Sequence, residues 1–138
     1  MAAPFPARIP KLFRKTITFD GGSGSGAVGT VKVGDVTGAV CILYGGVRCT
    51  TSLDGASATI ELGTAADTDG LVATTTATDL DSGELWQDST PEAGVSNAIV
   101  NKLVTGDIII TVGTAAVSAG VIEVTFYWAP LSSDGQLA

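Results

Sequence analysis

The chain contains no histidine among its 138 residues. Serine–histidine–aspartate and cysteine–histidine sites are therefore excluded, together with histidine metal ligands and the usual proton shuttle near neutral pH. The acids could still act as a carboxylate pair, but nothing in the sequence sets the separation that such chemistry needs. We therefore expect a protein that is not an enzyme and that uses no cofactor and no metal.

Cysteines and long apolar runs are also scarce. Cys41 and Cys49 are too few for a disulfide scaffold and lack the companions that a zinc site requires, so we expect buried free thiols and leave open whether they ever pair. No apolar run approaches the roughly 20 residues that cross a bilayer, and no signal peptide is visible. The sequence thus predicts synthesis in the cytoplasm and no membrane partner.

Charge is sparse and unevenly distributed. Residues 1–15 hold Arg8, Lys11, Arg14 and Lys15 and no acid, whereas the rest of the chain holds three bases and fourteen acids, a formal charge of −11. An acidic body disfavours nucleic acid, which requires a basic face. Prolines near the N-terminus block helix, so we predict an extended basic arm over 1–15 that contacts acidic patches of a partner.

Residues typical of strands dominate what is present, with 14 Val, 9 Ile and 18 Thr. In 121–128, Ile122, Val124, Phe126 and Trp128 alternate with Val121, Glu123, Thr125 and Tyr127, which predicts a strand with one buried side. Turn signals such as Gly45-Gly46 separate further candidates. These candidates are 13–19, 28–33, 39–44, 47–53, 58–62, 71–77, 98–104 and 108–112. The pattern predicts an all-β chain whose residues 16–138 form one β-sandwich of about eight strands, a jelly roll or Greek key.

Two copies of Gly-Thr-Ala-Ala, at 63–66 and 113–116, each precede a further glycine at the same offset. We interpret them as two equivalent hairpins whose glycines take positive φ, in preference to a duplicated binding loop. The glycine- and serine-rich stretch 21–26 has no lysine and serine or threonine after it, as a phosphate loop would, so a flexible link or surface loop is favoured.

Several acids lie beside glycine in candidate loops. Asp67 with Asp69, and Asp79 with Asp81, resemble pieces of a calcium loop but match neither its length nor its ligand order. Aspartate beside glycine is also common in ordinary turns, which is the interpretation that we favour.

Trp86 lies in a segment rich in turn-forming residues. A large ring there is either a plug over the edge of the sandwich or an anchor for a partner. The segment after Pro130 is polar and predicts a tail with no chemistry of its own.

The order of several short segments resembles that in small structural proteins encoded with the head genes of tailed bacteriophages. The segments are 17–21, 26–31, 58–66, 83–86 and 126–132. In particular, the chain resembles capsid cementing (decoration) proteins, of the jelly-roll kind found on a Bordetella phage. The resemblance covers about residues 16–135, and the basic arm is outside it.

This resemblance implies a protein that docks on the outer face of an HK97-like shell, in the virion, and ties neighbouring capsomers together against the pressure of the packaged DNA. Its implied partners are the major capsid protein and further copies of itself, with a dimer favoured and a trimer possible. Candidate contact residues are Arg8, Lys11, Arg14, Lys15 and Trp86. The alternative is a carbohydrate-binding module of a phage tail or fibre, which would present exposed aromatic platforms.

Overall fold

The computed structural model describes residues 10–94 and 99–138 and contains no α-helix in these ranges. The strands are β1 (Lys11–Thr18), β2 (Gly29–Gly34), β3 (Val36–Thr37), β4 (Val40–Asp54), β5 (Thr59–Gly63), β6 (Val72–Thr76), β7 (Leu85–Trp86), β8 (Val100–Val104), β9 (Ile108–Gly113), β10 (Ala119–Pro130) and β11 (Gln136–Leu137), with a 3₁₀ turn at Ala77–Asp79. The prediction of an all-β chain is confirmed. In the part of the chain described, no helix has the length and apolar character to span a membrane.

Two antiparallel sheets form the body of the molecule. The first has the order β1-β10-β4, and the far side of β4 pairs with both β7 and β8; the second has the order β2-β9-β5-β6. β3 and β11 form a separate short pair. Strand β1 lies beside the last long strand, and the chain crosses repeatedly between the sheets. This order is compatible with the predicted jelly roll, which stays a prediction at that level of detail.

The two sheets share one hydrophobic core. Ile122, Val124, Phe126 and Trp128 of β10 are all buried, as the alternation in the sequence predicts. Side chains from the second sheet, such as Ile110, belong to the same cluster. Each large apolar side chain that is fully buried contributes roughly 1.5–3 kcal/mol, so the burial of this core stabilises the fold.

The predicted turn at Gly45-Gly46 is wrong, because both glycines lie inside the continuous strand β4. Gly45 pairs with Phe126 of β10. A Cβ atom on Gly45 would lie 2.6 Å from the Phe126 ring and 2.5 Å from the carbonyl oxygen of Thr125. Glycine is therefore required here to admit a core aromatic ring, and this packing requirement looks like a turn signal in the sequence.

Both ends of the domain differ from expectation. The boundary between arm and sandwich lies before residue 11, because β1 pairs with β10 from Lys11 onward and buries Phe13. Residues 1–9 of the predicted arm, including Arg8, lie outside the described residues. The segment after Pro130 is not a tail, since Leu137 is buried and the backbone N–H of Asp35 donates to the carbonyl oxygen of Ala138 at 2.8 Å.

The two Gly-Thr-Ala-Ala copies are not equivalent hairpins. Strands β5 and β9 are antiparallel neighbours that pair Thr59 with Gly113 and Gly63 with Ile109, so the copies lie at opposite ends of the second sheet. The first joins β5 to β6 within that sheet, whereas the second leads into β10 of the other sheet. Among the four glycines of the repeat, only Gly120 has a positive φ, of 118°.

The glycine- and serine-rich stretch 21–26 forms a hydrogen-bonded surface loop. The carboxylate of Asp20 accepts hydrogen bonds from the Ser25 hydroxyl and from the Gly22 N–H, which together lower the pKa of Asp20. The backbone N–H of Val117 donates to the carbonyl oxygen of Gly26 at 2.8 Å. The stretch is therefore the predicted surface loop, with its backbone held by specific contacts.

Candidate binding surfaces

Trp86 is wholly buried, so the prediction that it contacts a partner is wrong. It pairs with Val47 in the first sheet, and its indole N–H donates to the hydroxyl of Thr75 at 2.8 Å. Thr75 belongs to β6 in the second sheet. The ring therefore acts as a plug between the sheets, held by a buried hydrogen bond that links them.

The remaining predicted contact residues in the described part of the chain lie together on β1, and we call Lys11, Arg14 and Lys15 the basic edge. β1 is at the end of the strand order in the first sheet. Lys15 is exposed and forms no ion pair with the other described residues. Lysines on an edge strand hinder pairing with another strand, so this edge favours side-chain contacts with a partner over addition of a strand.

The other two members of the basic edge make contacts within the chain. The Arg14 guanidinium donates to Glu123 Oε1 at 2.8 Å, and this hydrogen bond raises the pKa of Arg14. The Lys11 ammonium group lies 5.3 Å from the centre of the Trp128 ring, within the range of a cation–π contact. Lys15 is thus the member most available for electrostatic contact with a partner.

A row of exposed and partly exposed apolar side chains crosses the outer face of the first sheet. The register pairs Leu12 with Tyr127, Tyr127 with Tyr44, and Tyr44 with Val100, so one row spans β1, β10, β4 and β8. We call these four residues the tyrosine ridge. Leu12 is 52% exposed, Tyr44 51% and Val100 45%. The two tyrosine rings stack with centroids 4.7 Å apart and planes at 24°.

A shallow groove of about 290 Å³ lies beside the tyrosine ridge. Its floor is the pair Thr125 and Gly46, one row along the strands. Its far wall is the next row, formed by Glu123, Arg48 and Leu85. We call this depression the glycine groove. From ridge to far wall is four residues of strand, or about 13 Å.

Gln87 lies beside Gly46 at the floor of the groove. Its side chain is nearly buried, and a Cβ atom on Gly46 would lie 2.5 Å from Gln87 Nε2. Its Oε1 atom has no hydrogen-bond partner among the described residues. The groove therefore keeps its shape because position 46 carries no side chain.

The acids that were candidates for calcium lie in turns. In 10–94 and 99–138, no three side chains of His, Cys, Asp or Glu come together as a metal site would require. The Asp81 N–H donates to Glu84 at 2.8 Å, an ordinary turn contact. Asp69 hydrogen-bonds to Asp67 and raises its pKa, because the shared proton offsets the repulsion between two carboxylates.

The two cysteines lie on the same strand, β4, as free thiols. Cys41 is partly exposed, whereas Cys49 is buried. Burial raises the pKa of Cys49, so its reactive thiolate form is disfavoured. Both thiols are free in this structure, and the predicted burial holds for Cys49 but not for Cys41.

The tyrosine ridge was not predicted from the sequence, although the pattern in one of its strands was visible. The alternation in 121–128 places Tyr127 on the side of the strand opposite Phe126 and Trp128. No pattern in the sequence indicates that Tyr44, 83 residues earlier, lies beside it. A register shift between Tyr127 and Trp128 in the pairing with β4 sets that contact.

Comparison with known proteins identifies no relative of this chain. No protein-family model matches the chain, and neither a curated protein nor a solved structure matches it.

Proposed function

We propose that the protein is a capsid cement, or decoration, protein that binds the outer surface of a tailed-phage shell through its basic edge and the preceding arm. The observation that carries this proposal is the charge distribution. Four of the seven bases lie within residues 8–15 of a chain whose net charge is −7. The resemblance of residues 16–135 to phage cementing proteins supplies the identity of the partner.

The fold suits such a role because it presents this charge on a rigid support. Phe13 and Ile17 anchor β1 in the core, while the alternate positions and the edge lysines stay exposed. Single exposed ion pairs contribute only about 0–1 kcal/mol each. Many copies on one shell nevertheless act together, because each link between capsomers holds its neighbours at high effective concentration.

The test adds purified protein to bare, expanded heads and measures bound copies per particle and resistance to heat. We expect saturable binding and greater heat resistance. Removal of residues 1–9 leaves β1 whole and should weaken binding strongly without unfolding the domain. Lys15→Glu should weaken binding a few-fold, since one exposed charge contact is reversed.

Lys102→Glu is the matched control, because it makes the same change of charge on β8, away from the basic edge. Equal losses in the Lys15 and Lys102 variants would mean that only net charge matters. No binding by the unaltered protein, or full occupancy after removal of residues 1–9, would contradict the proposal.

The carbohydrate-binding alternative stays a prediction that the tyrosine ridge does not favour. A sugar needs the open face of an aromatic ring, whereas each tyrosine ring covers one face of the other. The register places Leu12 beside Tyr127 and Val100 beside Tyr44 on the remaining sides. A glycan array would reveal such binding directly.

A further inference from the structure

We propose that the outer face of the first sheet is a second contact surface for the shell, which binds an acidic segment with exposed apolar side chains on a capsid subunit. This proposal rests on the shell-binding function proposed above. It adds the tyrosine ridge, Leu103 and Arg48, which we together call the tyrosine face, to the basic edge. One copy then holds the shell through two adjoining surfaces of the sandwich that meet at β1.

The apolar part of the tyrosine face extends beyond the tyrosine ridge. Leu103 of β8 is 67% exposed and pairs with Cys41 on β4. Cys41 lies between the buried residues Val40 and Ile42, so the alternation of the strand turns it away from the core. Leu103 and Cys41 therefore lie on the same side of the sheet as the tyrosine ridge. Apolar side chains that are exposed or partly exposed thus occupy two adjacent rows of this face.

The residue types on this face are those of protein interfaces. The chain has only two tyrosines, Tyr44 and Tyr127, and both belong to the tyrosine ridge. It has three arginines, and Arg14 and Arg48 lie on the same outer face, within two rows of the ridge. Tyrosine and arginine are enriched among the residues that dominate binding energy. Their concentration on one face favours contact with another protein.

The charges on the tyrosine face favour an acidic partner. Glu123 is the cross-strand neighbour of Arg48, but its carboxylate accepts a hydrogen bond at 2.8 Å from Arg14. Arg48 is exposed and forms no ion pair in residues 10–94 and 99–138. An arginine can bind a carboxylate of a partner through two parallel hydrogen bonds. Together with the exposed Lys15 on the adjoining edge, this surface complements an acidic segment.

The size of the tyrosine face indicates that it acts together with the basic edge. From the pair Cys41–Ala129 to the pair Arg48–Glu123 is six residues along β10, or about 20 Å, and the four strands span about 14 Å. A stable interface buries roughly 800 Å² per partner, which is more than this area. Because β1 belongs to both surfaces, a single position on the shell can engage both. Two weak contacts on one rigid domain strengthen each other.

The experiment measures the affinity of the full chain for bare, expanded heads, from the occupancy over a range of protein concentration. The double variant Tyr44→Ser with Tyr127→Ser should bind at least about tenfold more weakly, because it removes the two large anchors of the face. The matched control is Val28→Ser with Ile109→Ser, which removes two apolar side chains on the side of the second sheet. The control should bind like the unaltered protein, and circular dichroism of each variant verifies that the fold is kept.

Arg48→Glu should weaken binding a few-fold, because it reverses an exposed charge of the face. Lys102→Glu makes the same change of charge on β8, beside Ile42, whose side chain is in the core, and it should have little effect. Added salt should reduce the loss in the Arg48 variant and leave the loss in the tyrosine variant, since salt screens charges and not apolar contacts.

Cys41 provides a direct footprint of the tyrosine face, because its thiol is partly exposed there. A maleimide should label this thiol more slowly on heads than in the free protein. The control is a cysteine on the outer side of the second sheet, Thr30→Cys, which should be labelled at the same rate in both states.

The outcomes separate this inference from the function on which it rests. If the unaltered chain does not bind heads, both are wrong. If it binds, but the tyrosine variant binds equally well or Cys41 is labelled equally fast on heads, this inference alone is overturned and the basic edge suffices. Sedimentation velocity of the free proteins adds one more test. A tyrosine variant that sediments as a smaller particle than the unaltered protein would also overturn the inference, because another copy then covers the face.

Discussion

The two outer faces of the sandwich differ in the side chains that they present. On the first sheet, the central row is the tyrosine ridge. On the second sheet, the register places Thr30 beside Thr111 and Thr111 beside Glu61. Glu61 accepts hydrogen bonds from the hydroxyls of Thr68 and Thr74, so this polar face makes contacts within the chain. We call it the threonine face.

This difference between the two outer faces distinguishes side chains that bond within the chain from side chains that are exposed for contact with a partner. On the threonine face the hydroxyls of Thr68 and Thr74 bond to Glu61, whereas the Thr111 Oγ1 atom is buried without a hydrogen-bond partner among the described residues. Exposed single apolar residues are common on protein surfaces, whereas a large contiguous apolar patch often marks an interaction site. The tyrosine ridge therefore lies on the same sheet whose edge strand, β1, carries the exposed Lys15.

The largest expected effect tests whether the fold depends on its inner aromatic residues and not on its outer ones. Trp86→Ala should lower the free energy of unfolding by about 3–5 kcal/mol, because it empties a buried site between the sheets. Tyr44→Ala should cost less than about 1 kcal/mol, since half of the ring is already exposed. Urea unfolding measures both changes in free energy. Similar losses in the two variants would contradict the distinction between core aromatic residues and those on the outer face.

Thr75→Val should cost about 1–3 kcal/mol, because the buried indole N–H of Trp86 loses its acceptor. Thr30→Val on the threonine face is the control, and it should change stability by less than about 0.5 kcal/mol. Both are the same exchange of hydroxyl for methyl in a strand. A costly Thr30 variant would mean that the threonine face contributes more to the fold than its contacts indicate.

Gly45→Ala and Gly46→Ala compare the inner and outer sides of β4 at adjacent positions. Gly45→Ala should cost about 1–3 kcal/mol, since its Cβ would press on the Phe126 ring and on the backbone. Gly46→Ala should cost less, because its Cβ meets only the end of the Gln87 side chain. Thermal denaturation ranks the two, and the reverse order would contradict the packing described for β4.

The smallest expected effect concerns two exposed carboxylates with opposite pH dependence. The Val36 N–H and the Lys32 ammonium lower the pKa of Asp107, so its stabilising contribution is present at neutral pH and is lost as the pH falls below the ordinary value of 3.8. The pKa of Asp67 is raised, so its effect on stability has the opposite sign. The free energy of unfolding falls as the pH rises through the range just above 3.8.

Urea midpoints measured from about pH 3 to about pH 7 check these signs. Asp107→Asn should lower stability at neutral pH and flatten the acid limb of the profile. Asp67→Asn should raise neutral stability slightly, because it removes the repulsion by Asp69. Shifts of the same sign in both variants would contradict the assigned causes.

The sequence predicted features that depend on neighbouring residues and failed where distant strands meet. Alternation in β10 correctly placed Phe126 and Trp128 inside and Tyr127 outside. The burial of Trp86 depends on Thr75 in the opposite sheet, a contact that no local pattern indicates. Gly45 resembled a turn residue because the ring that requires it, Phe126, lies on another strand. The cluster of basic residues could be recognised in the sequence because charge composition does not depend on the fold. Its position on β1 depends on the pairing of that strand with β10.

Electron cryomicroscopy of bare expanded heads incubated with this protein is the most direct test of the proposal that it binds the shell through the β1 edge. We expect sandwich density on the outer surface of the shell, with the β1 edge turned toward the capsid subunits. Particles without density for this chain, or sandwiches attached through the threonine face, would contradict it.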